Sequence, residues 1–389
     1  MAAPIRHGNY LRVAGLFAGV GGIEVGLNRA GHSTSLLCEI DPAAQAVLEE
    51  RFPGVPLFDD IRTLPRLKTD IDLIAAGFPC QDLSQAGKAR GIKGQQSGLV
   101  THIFDLLRQT AVPWVLLENV PFMLQLDAGR GMEYVVGQLE QLEYRWAYRI
   151  IDSRAFGLPQ RRERVYLVAS KCEDPRRVLF RGNEEPLRDE RVLNGVACGF
   201  YWTEGTKGLG WAVDAIPTLK GGSTVGIPSP PAILLPTGEL VMPEIRDAER
   251  LQGFRADWTK PAESIARKGI RWKLVGNAVT VHVAEWIGRR LLDLSGETDL
   301  AGYPLQRGQP WPRAAWYDGS HRFSAYYSTW PVSRRAQPLG KFLKYPQSPL
   351  SVKATAGFLA RAQASSLKFP EGFLAAVAAH LRHMKPQVA

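Results

Sequence analysis

The sequence predicts an α/β fold built on a doubly wound sheet, followed by a smaller module that is rich in loops. In the first half of the chain, short apolar runs of the buried-strand kind alternate with segments that have helical spacing. From residue 172 to residue 245, glycine and proline are frequent and helical periodicity is weak. Helical spacing returns at residues 246–252 and in an amphipathic segment at residues 280–292. These three observations indicate two kinds of structural module in one chain.

The elements of the first module follow from local signals in chain order. The alternation of strands and helices predicts parallel strands joined by right-handed crossovers. We expect strands at residues 12–17, 35–39, 71–76, 114–117 and 165–169. We expect helices at residues 23–30, 42–51, 102–109 and 132–142, and two more in the tail at residues 351–363 and 370–383.

Composition excludes several classes of protein. Of the 389 residues, 45% are hydrophobic and 22% are charged, a globular balance that excludes a chain disordered throughout. No apolar run reaches the roughly 18 residues that span a bilayer, and the first twelve residues lack the apolar core of a signal peptide. The cysteines Cys38, Cys80, Cys172 and Cys198 form no C-x-x-C pair, so we expect neither a disulfide framework nor a bound metal. We expect a cytoplasmic protein without membrane contact.

The positive charge is concentrated at the end of the chain. From Leu300 onward there are 12 basic residues and only two acidic ones, Asp318 and Glu371, so the tail carries the whole net charge of +10. The first 299 residues hold 36 basic and 36 acidic side chains. Tryptophans at 311, 316 and 330 are interleaved with the basic residues. This pattern favours a polyanion such as nucleic acid, and a merely solvated basic tail is the alternative.

A glycine-rich turn, LFAGVGG, follows the first strand at residues 16–22. Glycines let the backbone turn sharply and approach a ligand, and the next helix directs its N-terminus into this turn. The spacing is G-x-G-G and not the G-x-G-x-x-G of dinucleotide enzymes, which disfavours a nicotinamide dehydrogenase. Glu39 closes the second strand, where a carboxylate can bind both hydroxyls of a ribose, and Asp60 can bind an adenine amino group. The alternative is a turn needed only for packing.

Two further side chains with chemical potential lie where apolar strands end. Cys80 lies in GFPCQDLSQAG, directly after the strand that ends at residue 76. The carboxyl edge of the sheet is where α/β enzymes bind ligands, and a thiolate there can act as a nucleophile. Glu118 ends the apolar run LLENV at the same edge, where an apolar environment can keep a carboxyl group protonated and able to act as an acid. An inert buried thiol and a salt-bridged glutamate are the alternatives.

A group of arginines precedes the last strand of the first module, in PQRRERVYLVAS at residues 159–170. Arg162 and Arg164 share one face of an extended chain, so their two guanidinium groups can reach one pocket. A solvated basic turn is the alternative.

Taken together and in this order, these motifs resemble the cytosine-5 DNA methyltransferases of bacterial restriction–modification systems. The resemblance covers nearly all of residues 11–292. LFAGVGG, Glu39 and Asp60–Ile61 resemble the first three cofactor motifs of the family, and GFPCQ resembles its catalytic Pro-Cys loop. ENV, QRRERVY, RDAERLQGF and VGNAV resemble the sixth, eighth, ninth and tenth motifs. Residues from Cys172 to about Glu244 stand in the place of the family's variable target-recognition region.

The resemblance implies a Rossmann-like, doubly wound sheet of the S-adenosyl-methionine methyltransferases, with a smaller target-recognition domain. The catalytic domain is then discontinuous, with residues 1–171 as its first part and residues 271–299 as its returning part. Residues 172–270 form the target-recognition domain, and residues 300–389 form a basic C-terminal extension outside the shared pattern. The helix from Thr280 is expected to pack beside the glycine-rich turn.

The resemblance also implies the chemistry: methyl transfer from S-adenosyl-methionine to carbon 5 of a cytosine that is flipped out of a specific double-stranded DNA site. Cys80 forms a covalent adduct with carbon 6, Glu118 protonates or hydrogen-bonds N3, Arg164 holds the O2 side, and Arg162 supports the loop or a phosphate. The residues expected to bind the cofactor are Phe17, Ala18, Gly19, Gly21, Gly22, Glu39, Ile40, Asp60, Ile61, Pro79, Asn277 and Val279.

Contacts to DNA are expected from the Pro-Cys loop and from the recognition region. The expected contact residues are Gln81, Ser84, Thr218, Leu219, Lys220 and Ser223. We expect a monomer associated with the nucleoid. A tRNA cytosine-5 methyltransferase and a non-catalytic DNA-binding homologue are the alternatives; the long insert rich in glycine and proline favours DNA over tRNA, and the presence of Cys80 and Glu118 favours an enzyme.

Overall fold

A computed structural model of the chain describes residues 10–79, 98–187, 192–193, 195–222, 229–267, 269–295, 302–306 and 308–384. The strands are β1 (Arg12–Leu16), β2 (Ser33–Cys38), β3 (Leu57–Phe58), β4 (Leu73–Gly77), β5 (Trp114–Asn119), β6 (Arg145–Asp152), β7 (Gln160–Arg161), β8 (Glu163–Ser170), β9 (Cys198–Phe200), β10 (Trp211–Val213), β11 (Ile216–Pro217), β12 (Ala232–Leu234), β13 (Leu240–Met242), β14 (Tyr303–Pro304), β15 (Ala314–Tyr317), β16 (Arg322–Ser324) and β17 (Ser348–Pro349).

The helices complete this inventory. They are α1 (Gly22–Arg29), α2 (Pro42–Arg51), α3 (Val100–Gln109), α4 (Arg130–Gln141), α5 (Arg176–Leu179), α6 (Ile245–Leu251), α7 (Ile270–Asn277), α8 (Val281–Leu292), α9 (Leu339–Phe342), α10 (Val352–Ala364) and α11 (Phe373–Met384). Short 3₁₀ turns lie at Pro121–Leu124, Ser153–Phe156 and Lys260–Ser264. Side-chain caps explain where two of these helices begin. Asp41 accepts the N–H of Ala43 at the start of α2, whose first residue is Pro42, and Ser351 accepts the N–H of Ala354 at the start of α10.

The chain divides into two compact units, each assembled from three segments. Unit 1 consists of Met1–Asp152, Glu163–Glu185 and Val279–Val332. Unit 2 consists of Ser153–Arg162, Pro186–Ala278 and Ser333–Ala389. These limits differ from the boundaries expected from the sequence, because β7 pairs with β11 inside unit 2 and because strands of the tail pair with both large sheets.

Unit 1 is a ten-stranded sheet with helices around it, which confirms the doubly wound α/β class. The strand order is β14-β16-β15-β6-β8-β5-β4-β1-β2-β3. Strands β5, β4, β1, β2 and β3 are parallel neighbours, whereas β8 pairs antiparallel with both β5 and β6. The tail extends this sheet, since β15 pairs antiparallel with β6. Strands β6, β15 and β16 were not expected from the sequence, because charged or polar residues interrupt the apolar run in β6 and β16 and because β15 pairs with a strand remote in sequence.

The first and last helices of unit 1 pack closely through small residues. A Cβ atom at Gly26 of α1 would lie 2.5 Å from the Cβ atom of Ala284 on α8, and one at Gly288 would lie 2.7 Å from that of Ala30. The expectation that the helix after Thr280 packs beside the glycine-rich turn is confirmed, because α1 begins directly after that turn. This packing brings residue 279 back to the carboxyl edge of β1.

Unit 2 is built on a smaller antiparallel sheet with the order β10-β9-β12-β13-β17. Helices α10 and α11 of the tail cover this sheet, and their aromatic side chains enter its core. The ring centroid of Phe200 on β9 lies 4.5 Å from that of Phe358 and 5.2 Å from that of Phe373, and all three side chains are fully buried. The second half of the tail is therefore structural.

The described residues contain neither a membrane-spanning helix nor a cluster of metal-binding side chains. None of the helices described is long and apolar enough to cross a membrane. Within the same ranges, no group of three or more histidine, cysteine, aspartate or glutamate side chains is arranged to hold a metal ion.

The burial of Phe358 predicts that the tail stabilises unit 2. Replacing Phe358 with Ala removes a large buried ring, which typically costs about 3 to 5 kcal/mol of unfolding free energy. Urea unfolding of the full chain measures this loss, and Val352→Ala on the exposed face of the same helix is the matched control. Equal unfolding midpoints for the two variants would contradict a core role for the tail.

Candidate active site

The glycine-rich turn between β1 and α1 is tightly constrained. Phe17 has φ of 53°, a left-handed conformation that costs a residue with a side chain of order 1 kcal/mol and is found mainly at functional sites. Gly21 also has positive φ, 81°, and donates its N–H to the carbonyl of Ala18 at 2.8 Å. A Cβ atom at Gly22 would lie 2.5 Å from the carbonyl oxygen of Val279, so only glycine fits there. The turn is thus shaped by both the strand and the returning chain.

Glu39 is fixed against this turn by the backbone. Its Oε2 atom accepts the N–H of Gly19 at 2.7 Å, and its Oε1 atom accepts the N–H of Asp41 at 2.8 Å. Burial raises the pKa of Glu39, while these backbone hydrogen bonds oppose the shift. Each oxygen keeps a second lone pair, so the carboxylate can still accept hydrogen bonds from the hydroxyls of a ribose. The neighbouring Ile40 is 58% exposed and offers an apolar surface.

The third predicted cofactor motif has one polar and one buried residue. The Nε–H group of Arg62 is shared between the two carboxylate oxygens of Asp60, at 2.8 and 2.9 Å, and Nη2 donates to Oδ2; these bonds lower the pKa of Asp60. Ile61 is buried in the core of unit 1. The Asp60 side chain is therefore engaged by Arg62 in this conformation.

Glu118 and Arg164 form an ion pair at the carboxyl edge of the sheet. Nε of Arg164 lies 3.1 Å from Oε1 of Glu118, and both side chains are largely buried. Strand β4 pairs Gly77 with Glu118, and a Cβ atom at Gly77 would lie 3.4 Å from Oε2 of Glu118 and 3.5 Å from Cγ2 of Val279. Gly77 therefore lies directly beside the Glu118 carboxyl group and Val279.

Asn119 ties the end of β5 to the end of β4. Its Nδ2 atom donates to the carbonyl of Phe78 at 2.9 Å, and its Oδ1 atom accepts the N–H of Val120 at 2.8 Å. Pro79 follows as an exposed residue. Cys80, Gln81 and Ser84 lie outside the described residues, as does Ser223. Asn119 therefore binds the backbone of Phe78, which lies two residues before the predicted nucleophile Cys80 in the sequence.

Arg162 belongs to unit 2 and binds backbone carbonyls there. Its side chain is 2% exposed; Nη1 donates to the carbonyl of Leu219 at 3.0 Å, and Nη2 donates to those of Gly276 at 3.2 Å and Ala278 at 2.7 Å. These bonds hold the Thr218–Lys220 segment beside the VGNAV turn. Arg162 therefore supports the backbone of these segments, whereas Arg164 forms an ion pair with the Glu118 carboxylate.

The residues predicted from the VGNAV motif fall in both units. Val279 lies against Gly22 and Gly77 in unit 1, as described above. Asn277 lies in unit 2, where a Cβ atom at Gly221 would lie 2.2 Å from its Oδ1 atom. A Cβ atom at Gly276 would similarly lie 2.1 Å from the carbonyl of Lys220, so this turn and the recognition segment pack backbone against backbone.

The three described residues of the predicted recognition element differ in exposure. Oγ1 of Thr218 donates to the carbonyl of Arg161 at 2.8 Å. Leu219 is 3% exposed and packs in the core of unit 2, so its side chain anchors the segment instead of facing solvent. Nζ of Lys220 lies 3.0 Å from Oε1 of Glu204 and 3.9 Å from the ring centroid of Tyr201. Only Lys220 combines charge with a partly exposed position.

A buried carboxyl group that the sequence analysis missed lies behind the glycine-rich turn. Glu24, in the first turn of α1, is 1% exposed, and burial raises its pKa to about 8, with the charge of Glu39 adding to the shift. A Cβ atom at Gly15 would lie 2.2 Å from Oε1 of Glu24, so the glycine in β1 provides the space for this side chain. A glycine inside a predicted strand was the available signal.

The two units differ strongly in charge. Between the limits of unit 2 the sequence holds 24 basic and 11 acidic residues, a net charge of +13. Unit 1 holds 24 basic and 27 acidic residues, a net charge of −3. The positive charge of the molecule therefore belongs to unit 2, which includes residues 333–389 of the basic tail.

Comparisons with known proteins agree on a family. Residues 11–193 match the model of the C-5 cytosine-specific DNA methylases. The Type II methyltransferase M2.BsuMI of Bacillus subtilis is 46% identical over 378 residues, which cover 94% of this chain and 96% of that protein. The Type II methyltransferase M.NgoBI of Neisseria gonorrhoeae is 38% identical over 154 residues, covering 39% of this chain and 48% of that protein. The crystal structure of the S. pombe Dnmt2 methyltransferase has the same fold, with a TM-score of 0.55, 19% identity, and coverage of 73% of this chain and 98% of that chain.

The raised pKa of Glu24 predicts a specific dependence of stability on pH. The folded chain keeps the Glu24 proton up to about pH 8, whereas an unfolded chain releases it near pH 4.5, so rising pH favours unfolding between those values. Glu24→Gln does not titrate. Its unfolding free energy relative to the wild type should therefore increase from pH 5 to pH 8, by at most about 1.4 kcal/mol per pH unit.

Urea unfolding at several pH values measures this difference. Glu49→Gln, at an exposed position on α2, is the control. A constant difference between Glu24→Gln and the wild type across this pH range would show that Glu24 does not carry its proton in the folded chain.

Proposed function

Since the chain belongs to the family of C-5 cytosine-specific DNA methylases, we propose that Cys80, Glu118 and Arg164 carry out its methyl transfer. The enzyme is a DNA (cytosine-5-)-methyltransferase of the restriction–modification type. The observation that carries the proposal is the Glu118–Arg164 ion pair, because it lies across from Gly77, at the end of the strand that leads to Cys80. A nucleophile, an acid and a cation are thereby contributed by neighbouring strand ends.

The glycine-rich turn is suited to bind S-adenosyl-methionine. A Cβ atom at Gly19 would meet no atom within 4 Å, which leaves an open cradle beside the fixed Glu39 carboxylate and the exposed Ile40. We assign the ribose hydroxyls to Glu39 and the adenine to the apolar surface of Ile40. Phe17, Ala18, Gly19, Gly21, Gly22, Asp60, Ile61, Pro79, Asn277 and Val279 complete the assigned cofactor residues. When bound, the cofactor supplies an electrophilic methyl group.

The cytosine ring must be activated before it can accept this group, since carbon 5 is a poor nucleophile. The thiolate of Cys80 adds to carbon 6 and forms a C–S bond, which turns the ring into an enamine whose carbon 5 is nucleophilic. After methylation, loss of the proton from carbon 5 expels the Cys80 thiolate and leaves 5-methylcytosine. Since a stacked base cannot present carbon 6 to a protein thiol, the cytosine is flipped out of the duplex.

Glu118 and Arg164 stabilise the charge that develops on the ring. Once its carboxyl group carries a proton, Glu118 protonates or hydrogen-bonds N3, so that addition of the thiolate does not leave a ring anion, and the proton returns from N3 when the thiolate leaves. Arg164 keeps the Glu118 carboxyl group oriented and directs its positive charge toward O2 of the base. Arg162 contributes indirectly, since its guanidinium holds the backbone of Leu219 and Gly276.

We assign DNA binding to unit 2. Its net charge of +13 favours contact with phosphates, whereas unit 1 carries −3. Base-edge contacts then come from the recognition segment, with Lys220 as its exposed cation and Thr218 and Ser223 beside it. Gln81 and Ser84 follow Cys80 and are assigned to the backbone beside the flipped nucleotide. A tRNA substrate is excluded if duplex DNA is methylated and tRNA is not.

The covalent step predicts a trapped complex. Bisulfite sequencing of DNA from cells that express the chain first identifies the target site. A duplex with 5-fluorocytosine at that site cannot lose its substituent from carbon 5, so wild-type protein and cofactor should give a denaturant-resistant protein–DNA species on a gel.

Substitutions of two different cysteines show whether the trapped species depends on Cys80. Cys80→Ser should give no such species, and Cys172→Ser, at an exposed cysteine, should give as much as the wild type. A trapped species formed by Cys80→Ser would show that Cys80 is not the nucleophile.

The role of Glu118 predicts a loss in turnover without a loss of cofactor binding. Glu118→Gln keeps the size of the side chain but cannot donate a proton, and positioned acid catalysis contributes roughly 10²- to 10⁴-fold. We therefore expect kcat on the target duplex to fall by at least about 100-fold, while the Kd for S-adenosyl-methionine is unchanged. Tritium transfer and calorimetry measure the two quantities. A kcat equal to that of the exposed control Glu49→Gln would contradict this role.

A further inference from the structure

The second half of the tail is anchored to the predicted recognition unit by a buried carboxylate. Asp247 on α6 is fully buried, and its oxygens accept the backbone N–H groups of Lys344 at 3.1 Å and Tyr345 at 3.0 Å. Strand β17 then pairs with β13, and α10 begins two residues later. This path brings α10 against the segment that follows β9.

Arg361, on α10, binds the backbone of that segment. Its Nε atom donates to the carbonyl of Glu204 at 3.1 Å, and its Nη2 atom donates to the carbonyl of Trp202 at 2.5 Å. A single planar guanidinium thus spans two carbonyls that are two residues apart, which fixes both their distance and their orientation. The Arg361 side chain is half-buried, and its Nε and Nη2 atoms are directed at protein carbonyls.

The segment held by Arg361 in turn holds Lys220. The carboxylate of Glu204 lies 3.0 Å from Nζ of Lys220, and the ring of Tyr201 lies beneath the same ammonium at 3.9 Å. The hydroxyl of Tyr201 donates to the carbonyl of Thr218 at 2.6 Å, which connects the two segments a second time. Among the described residues, Glu204 accepts one hydrogen bond from this ammonium, and an ammonium carries three N–H groups, so Lys220 has donors beyond the one that binds Glu204.

We propose that Arg361 is a positioning residue for target recognition, which acts by fixing the 202–204 segment and, through Glu204, the ammonium of Lys220 at a base edge. This rests on the proposed function, in which unit 2 recognises DNA. Lysine has a flexible side chain, and an ammonium that is held before DNA arrives can discriminate between base edges instead of following the nearest phosphate. The acceptor that fits a lysine in the major groove is O6 or N7 of guanine.

Steady-state methylation by the full chain tests this inference. The measured quantity is the ratio of kcat/KM on the identified target duplex to kcat/KM on duplexes with one substituted base pair. Arg361→Ala should lower this ratio by about tenfold at one base pair, with an unchanged Kd for S-adenosyl-methionine. Lys353→Ala, which removes one exposed charge from the same helix, should keep the wild-type ratio.

A double-mutant cycle separates positioning from a general structural role. Lys220→Ala should lower the ratio at the same base pair, and Arg361→Ala combined with Lys220→Ala should lower it no further, because both changes remove one contact. Arg361→Lys keeps the positive charge and one donor nitrogen, so its ratio should lie between those of Arg361→Ala and the wild type. Thermal unfolding of each variant verifies that the chain remains folded.

Three results would overturn the inference. One is an Arg361→Ala variant that loses activity equally on all duplexes. Another is a ratio that is unchanged while the salt dependence of DNA binding decreases by about one phosphate, which would make Arg361 a phosphate contact. The third is additive losses in the double mutant. A wild type that methylates no duplex would refute the proposed function instead, so the two failures are distinguishable.

Discussion

The carbonyl oxygen of Val279 fills the space that any side chain at residue 22 would need, and the packing of the returning chain in unit 1 depends on this contact. The glycine-rich turn and the returning chain are more than 250 residues apart in sequence, yet their backbones touch. Small residues along α1 and α8 make the same close approach for two further turns of helix, at Gly26 and Gly288. A side chain at residue 22 would collide with the backbone of Val279, and one at residue 26 or 288 would collide with the facing helix. The intervening module is therefore an insertion that leaves the catalytic unit closed.

Unit 2 differs from unit 1, because its three segments of chain meet around the smaller sheet β10-β9-β12-β13-β17. Buried polar side chains join these segments. Arg162 connects its own segment to the carbonyls of Leu219 and Gly276, and Gln160 donates to the carbonyl of Leu251. Asp247 connects the third segment through the N–H groups of Lys344 and Tyr345. Such groups are costly to bury unless they are satisfied, so they favour one arrangement of the segments over others.

The sequence predicted the parts of the molecule that depend on local signals. The glycine-rich turn, the strand ends near Gly77 and Glu118, and the tail helices are each contained within a short stretch of sequence. Strand β6 was missed because Arg145, Arg149 and Asp152 interrupt its apolar residues, and β15 was missed because its partner β6 is remote in sequence. Glu24 was missed for a related reason, since its buried position is created by the missing side chain of Gly15. Leu219 was expected to contact DNA, but whether it faces the core depends on the packing of the whole unit.

The positive charge of the tail is divided between the two units of the folded chain. The sequence places a net charge of +10 beyond Leu300, which reads as one basic extension. In the folded chain, residues 300–332 bring +2 to the ten-stranded sheet, and residues 333–389 bring +8 to unit 2. The larger share thus joins a unit that is already basic, and it arrives on helices whose aromatic side chains form the core of that unit. Truncation of the tail removes both basic residues and part of the core of unit 2. A change in DNA affinity after truncation would therefore not distinguish lost charge from lost folding. Binding by the tail is therefore best separated from stability by single charge substitutions on the exposed face of α10.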